Sequence, residues 1–482
     1  MESLRKITAS WIVTILILFI VAIVLGILMR LNQGEVIQQG PLAFYVNMTT
    51  HGLTMIGIWF AAGMVAVNYL LQRYVKTSFA VNLFAFVLTV IGVVMLWLST
   101  FAGKFNTGWT FLYPLPFKDL GAAAWATPLF LAALTVLGVG WLVWSVSLMA
   151  QILGRYSLSQ TFAWQHFKDS SPSVETPPFI LITTVTLTGV IASLIAAVIV
   201  IVLFFAEYFS NGSFVNDALL MKNLIYFFGH TIANEMLYLG LAVLYEIFAE
   251  VSGRPKWKTT WYVAVAWNCS LVFILTAFFH HLYMDFVQPQ GLQIVGQMAS
   301  YLASLPAAGV TVFSIIVAVY RVRIKWSITN LLFFLGVIGW VIGGLGAVID
   351  ATISNNVVLH NTLWVPAHFH TYNAMGNVLF SLAFFYWFST QHVNKLAISN
   401  LTKITLAILI IGGIGFLMAF YVGGADSVPR RYSNYPEGLA SASSLAKIGA
   451  AFAVVYLVAI LIFFYNISKR CLVILSASSS QA

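Results

Sequence analysis

Twelve stretches of this chain are long and apolar enough to cross a bilayer, and that recurrence leaves few folds open. A hydrocarbon core about 30 Å thick is spanned by roughly 20 residues of helix. Runs of that kind lie near 8 to 30, 51 to 72, 79 to 102, 123 to 152, 178 to 206, 218 to 248, 259 to 284, 294 to 320, 327 to 350, 361 to 388, 401 to 423 and 444 to 467. Inside lipid each segment must satisfy its own backbone, so the runs are read as helices. The composition agrees: 8% of the 482 residues are charged, against about 25% in soluble domains. The expectation is an all-α polytopic membrane protein, one twelve-helix domain over residues 1–472 with a disordered tail over 473–482. The first run follows Arg5 and Lys6, is longer than a signal-peptide core and has no small-residue cleavage pattern after it, so it reads as an anchor helix.

The net charge of +9 invites a nucleic-acid reading that the placement of the charges removes. With the helices alternating in direction and the N-terminus inside, the inner loops and ends hold Arg5, Lys6, Arg73, Lys76, Arg155, Lys168, Arg254, Lys256, Lys258, Arg321, Arg323, Lys325, Lys395, Lys403, Lys469 and Arg470. The outer side keeps Arg30, Lys104, Lys118, Lys222, Arg430, Arg431 and Lys447. This is the positive-inside bias, with both termini cytoplasmic and the chain placed in a cell's inner (plasma) membrane. No nucleic-acid partner is implied. Cys269 and Cys471 form neither a CxxC pair nor a haem-attachment motif, and no glycine-rich phosphate loop is present.

With the orientation fixed, seven of the nine histidines fall in the outer half of the membrane. His51 opens the second run, His230 lies within the sixth, His280 and His281 close the seventh, and His360, His368 and His370 surround the start of the tenth. His166 and His392 fall in inner loops and are given no role. Polar groups at one membrane depth on several helices mark function, and neutral imidazole is the commonest metal ligand. His368 and His370 are two residues apart, so they project about 200° from each other and serve different sites. His280 and His281, at a helix end where a frayed turn brings both to one ion, make with His230 a three-imidazole site with an open position, suited to copper or non-haem iron.

The HG at 51, the GH at 229, the HH at 280, the HFH at 368 and VPRRYSNYP at 428 resemble, in order and spacing, the catalytic subunit I of the haem–copper oxidase superfamily, which includes nitric oxide reductases. The resemblance spans all twelve runs. It implies two haems of b or a type and one non-haem metal. His51 and His370 match the axial ligands of a low-spin haem, His368 the ligand of a high-spin haem, and His230, His280 and His281 the ligands of the adjacent metal. Arg430 and Arg431 match the pair that holds haem propionates, and VLHNTLWVPAHFH the propionate shelf, with His360 retained. Asn361 stands where many members have Asp, which weighs against a carboxylate-bound outer magnesium.

One departure bears on the substrate. In many oxygen-reducing members the residue four after the sixth-helix histidine is a tyrosine that supplies an electron and a proton when the O–O bond is cut. Here it is Asn234, one turn from His230 and about 40° round the helix. In another branch the tyrosine lies about six residues before the HH pair, where this chain has Ile274. Joining two NO molecules into N2O needs two electrons and two protons, fewer than the four of O2 reduction, and no side-chain radical. The lead reading is therefore nitric oxide reduction. The alternative is a cytochrome c or quinol oxidase that tolerates Asn or uses Tyr238, reducing O2 to water with proton translocation. The reading from a different class is a transporter or channel with buried histidines, which gives no reason for His368 and His370 to serve opposite faces.

Glu235 lies five residues from His230, roughly 140° away, so it is expected as a proton donor behind the metal rather than a ligand. Without a carboxylate ligand copper is favoured over iron. His230, Asn234, Tyr238 and Tyr245 form a polar stripe descending to Glu246 and Glu250, a proton path that Thr311 extends. It resembles the single pathway of the B-type oxidases, to which HH followed by Asp285 also points. No electron-transfer motif is present, so a copper- or haem c-bearing donor subunit, or a quinol, is expected.

Overall fold

The computed structural model describes residues 2–117, 121–168, 174–285, 287–392 and 400–477. Lys118, Lys395 and the tail beyond 477 lie outside the described residues. Among the described residues eleven helical spans, the third and seventh counted with the π and 3-10 turns that continue them, are each long and apolar enough to cross a membrane. They are the first span Glu2–Gln33, the second Pro41–Leu71, the third Phe79–Trp97, the fourth Ala126–Leu153, the fifth Pro178–Phe209, the sixth Ala218–Val251, the seventh Trp261–Ala277, the eighth Gln290–Val319, the ninth Ile328–Ala351, the eleventh Asn400–Ala425 and the twelfth Ala440–Ser476. The expected tenth span is present in three consecutive pieces: an α-turn Trp364–His370, a π-helical segment Thr371–Asn377 and the α-helix Val378–Gln391. The chain is thus an all-α polytopic membrane protein, and among the described residues the only β-type pairing is one bridge between Thr362 and Pro429. The twelfth span runs to Ser476, four residues into the segment expected to be disordered, because CLVI continues its apolar face with Cys471 and Ile474 buried.

Local chemistry sets the starts. Asp217 caps the sixth span, its carboxylate accepting from the Leu220 N–H at 2.7 Å, and Ser327 with Asn330 forms a capping box on the ninth. Pro41 and Pro178 open the second and fifth spans, where a missing N–H costs nothing.

Packing inside is carried by aromatic residues whose polar tips are paired between spans. The buried indoles of Trp11 and Trp144 donate to Asn82 and Asn68, at 2.8 and 3.2 Å. The sixth span is the most enclosed, with 89% of its apolar window buried against 28% for the third. Its polar side chains therefore face protein, not lipid.

The ninth and tenth spans approach most closely. Gly336, Gly339, Gly343 and Gly346 place a bare stripe against the tenth. A Cβ at Gly339 would overlap the Met375 carbonyl, and one at Gly346 would lie 2.8 Å from the His368 Cβ. Small residues let membrane helices meet backbone to backbone. Here they seat the helix that carries both HFH histidines.

Candidate functional site

Two distortions of regular helix bring three imidazoles together. The seventh span tightens into a 3-10 turn over Phe278–Leu282, which aims His280 and His281 to the same side. His230 arrives from the sixth span, and the three ring-nitrogen donors lie within 4.8 Å of one another. His280 Nδ1–H donates to the Ala277 carbonyl at 2.7 Å and sits 2.9 Å from Ser300 Oγ. A carbonyl only accepts, so Nε2 keeps its lone pair. His230 Nδ1 is buried without a partner. The ring of His281 lies 15° from parallel with that of Tyr226, centroids 5.0 Å apart. Buried nitrogens without partners are uncommon, and three converging imidazoles fit a metal ion.

A second pair lies across the bundle. His51 and His370 face each other with ring centroids 6.2 Å apart and planes within 19° of parallel. Imidazole–metal bonds of about 2 Å on each side would place ring centres roughly 6 Å apart. Both rings are set for this, since each Nδ1–H is spent on a carbonyl at 2.7 Å, His51 on Ala22 and His370 on Pro366. His368 projects elsewhere, as the two-residue spacing requires. Both of its nitrogens are buried without a hydrogen bond, and its Nε2 lies 3.4 Å from Asp350 Oδ2. That is an ion-pair distance whose angles fall short of a hydrogen bond.

On the outer side the VPRRY loop is clamped to the HNTLW shelf. Leu363 N–H donates to the Val428 carbonyl and Arg430 N–H to the Asn361 carbonyl, both at 2.9 Å. Tyr45 adds a phenol donated to the Arg431 carbonyl at 3.0 Å. Burial first, then the adjacent Arg431 guanidinium, pushes Arg430 down to about 10. Burial and then Arg430 push His360 down to about 4. Among the described residues neither arginine forms an ion pair, and Arg430 Nε is buried without a partner. Two crowded cations of this kind fit an anionic group that the chain itself does not supply.

One cavity of about 620 Å³ joins these parts, lined by His51, His230, His280, His281, His368, His370, Asn234, Arg430 and Arg431. Asn234 donates to the His230 carbonyl at 2.9 Å, and the same nitrogen lies 3.5 Å from His230 Nε2. The structure thus brings together every histidine and arginine that the sequence singled out, with His360 beside them in the outer loop.

The polar stripe is divided. Tyr245 Oη lies 3.1 Å from Thr311 Oγ1. Tyr238 donates to the Ala303 carbonyl at 3.0 Å and lies 3.3 Å from Ser304 Oγ. Ser304 lines the cavity and Tyr238 does not, so Tyr238 reaches the site through the eighth span and does not replace a tyrosine at 234. Glu246 is engaged by residues beyond the end of the second span and after the sixth. It holds Arg73 at 2.8 Å, Tyr74 at 2.7 Å and Lys256 at 3.5 Å.

Glu235 departs furthest from expectation. It is outside the cavity lining, and its carboxylate packs where a Cβ at Gly189 of the fifth span would sit. The angle of about 140° from His230 carries it past the cavity face and against the neighbouring helix, without direct contact with the imidazole cluster.

Four residues at the site escape sequence reasoning. Asp350 and Arg30 look like loop charges at helix ends, yet both are buried. Ser300 and Tyr226 sit on faces whose partners only the fold reveals. The signal for Ser300 is its spacing with Ser304 and Thr311, four and eleven residues on, along one face of the eighth span.

The same architecture occurs in known proteins. Residues 6–462 match the family model described as cytochrome c and quinol oxidase polypeptide I. A haem–copper oxidase subunit I+III of Aeropyrum pernix is 25% identical over 430 residues, covering 85% of this chain and 49% of that protein. Cytochrome c oxidase polypeptide 1 of Halobacterium salinarum is 24% identical, covering 84% of this chain and 67% of that protein. The subunit 1 of Synechocystis is also 24% identical, covering 84% and 72%. The chain spans about half the length of the Aeropyrum relative. A haem–copper terminal oxidase dimer solved by cryo-electron microscopy superposes with a TM-score of 0.75 at 19% identity, over 99% of this chain and 85% of that one, a likeness of fold. With the family model matching nearly end to end, this chain belongs to the subunit I family of the haem–copper oxidase superfamily.

Proposed function

We propose that the chain is the catalytic subunit of a respiratory reductase in a cell's inner (plasma) membrane, and that it reduces nitric oxide to nitrous oxide. His51 and His370 would hold a low-spin haem, His368 a high-spin haem, and His230, His280 and His281 a copper ion. Arg430 and Arg431, with His360 beside them, would receive the haem carboxylates. When bound, these groups supply redox equivalents and an open position for a diatomic gas. The observation that carries the substrate reading is Asn234, which lines the cavity one turn from His230. A carboxamide orients the imidazole but gives up neither an electron nor a proton.

The chain's own work is positioning and proton movement. Carbonyls at Ala22, Pro366 and Ala277 fix three imidazoles in the tautomer that presents Nε2. Apolar walls exclude water from the gas. Tyr245 and Thr311, then Ser304 with Tyr238 behind it, form a file of hydroxyls toward Ser300 at the copper side. Two protons and two electrons join two NO into N2O and water. Electrons come from a copper- or haem c-bearing partner subunit or from a quinol.

A specific observation favours the second reading, O2 reduction by a terminal oxidase. Tyr226 stacks on His281, which puts one phenol against the metal trio despite Asn234. The deciding experiment is turnover of the purified, haem-loaded protein with NO and with O2 under a common electron donor. Faster NO consumption, unaffected by Tyr226→Phe, is expected. Brisk O2 consumption with little NO turnover, abolished by Tyr226→Phe, would transfer the assignment to the oxidase.

A further inference from the structure

Three of the histidines in the cavity are oriented by neutral backbone carbonyls: His51 by Ala22, His370 by Pro366 and His280 by Ala277. His368 differs. Its nearest polar partner is a carboxylate, Asp350 Oδ2, 3.4 Å from Nε2, which leaves Nδ1, buried without a partner, as the nitrogen open to a metal. Asp350 belongs to the last turn of the ninth span, is 3% exposed, and its Oδ1 has no partner. The one hydrogen bond that Asn356 gives it goes to its backbone carbonyl, at 2.8 Å, and leaves the carboxylate untouched. Burying such a group is costly unless positive charge lies close by. Among the described residues His368 is the only ion-pair partner within reach.

The Gly346 stripe supplies the geometry. Bare backbone at Gly346 lets the tenth span close on the ninth, so that the His368 ring stays within contact of a carboxylate one turn further along the ninth. We infer that Asp350 is a positioning residue for His368, and that its negative charge makes this one imidazole a stronger electron donor to the high-spin haem iron than the carbonyl-oriented rings are to their metals. The inference rests on the assignment of His368 to that haem. A carboxylate behind a metal-bound imidazole raises the basicity of the ligand, and axial-ligand basicity is one of the levers by which a protein sets haem potential. The device acts on the haem that meets substrate and spares the one that only passes electrons.

The test uses the full chain, haem-loaded, as wild type, Asp350→Asn, Asp350→Leu and His368→Ala. The readouts are the resonance-Raman iron–histidine stretch of the reduced high-spin haem and the midpoint potential of each haem. In both Asp350 variants the stretch should move to lower frequency and the high-spin potential upward, with the low-spin potential unchanged. If stretch and potential stay at wild-type values in Asp350→Asn, the inference is overturned. Should Asp350→Leu fail to load haem, the near-isosteric Asp350→Asn carries the test alone. The His368→Ala protein separates the two claims: retention of the high-spin haem there would sink the ligand assignment itself, whatever the Asp350 variants do.

Discussion

At the scale of single residues the site is built from nitrogens with one duty each. Asn234 is the side chain most open to test, because its amide both caps the His230 carbonyl and lies beside the ring. Replacing it by Leu keeps the volume and removes the donor. Loss of a positioning group of this kind costs about tenfold to a hundredfold in a metal site, so Asn234→Leu should lower NO turnover by about that factor, with both haems retained in the visible spectrum. Glu235→Gln is the contrasting case. The side chain faces Gly189 away from the cavity, so turnover should stay within about twofold of wild type and thermal stability should hold, since Gln keeps the volume of a group that has no hydrogen-bond partner. A tenfold loss of activity in Glu235→Gln would restore it to the proton route. The histidines were legible because imidazole is rare in lipid and helical spacing separates neighbouring faces. Asp350 was not, because a carboxylate at a helix end carries no sign of whether water or a ring lies beyond it.

Elements decide where these residues meet, and here the sequence was readable unevenly. Every span was visible as an apolar run, since lipid imposes length and hydrophobicity directly. The broken tenth span was not, because a π-turn changes the path of the chain without changing its apolar content. The Tyr245 and Thr311 pairing follows from two stripes that period alone could suggest, whereas counting along one helix does not reveal that Glu246 also engages Arg73 and Tyr74 beyond the end of the second span. Thr311→Val should therefore slow turnover about a hundredfold, the low end of the range for a lost proton-transfer group, and stopped-flow proton uptake should slow with it. Glu246→Gln should act on stability at the inner surface instead. At the glycine stripe, Gly339→Leu drives a side chain into the Met375 carbonyl. Overpacking of this sort costs about 1–3 kcal/mol or more, and the measurable result should be loss of both haems together, because His368 and His370 ride on the displaced helix.

At the scale of the whole molecule, the described spans enclose a cavity of about 620 Å³ that reaches the histidine-bearing faces of four of them. A ligand that binds only the folded state at a thousand times its dissociation constant stabilises it by about 4 kcal/mol. Copper chelation alone should lower the melting temperature modestly, and expression in haem-deficient cells should lower it far more, as read by thermal unfolding in detergent. Protein interiors tolerate few voids, so a cavity of this size with ring nitrogens facing one another across it has the shape of a binding site. The clamp between the VPRRY loop and the HNTLW shelf closes over that hollow from the outside. A porphyrin entering from the outer side would have to pass before those two backbone hydrogen bonds form, which ties the order of pigment loading to the closing of one loop on one shelf.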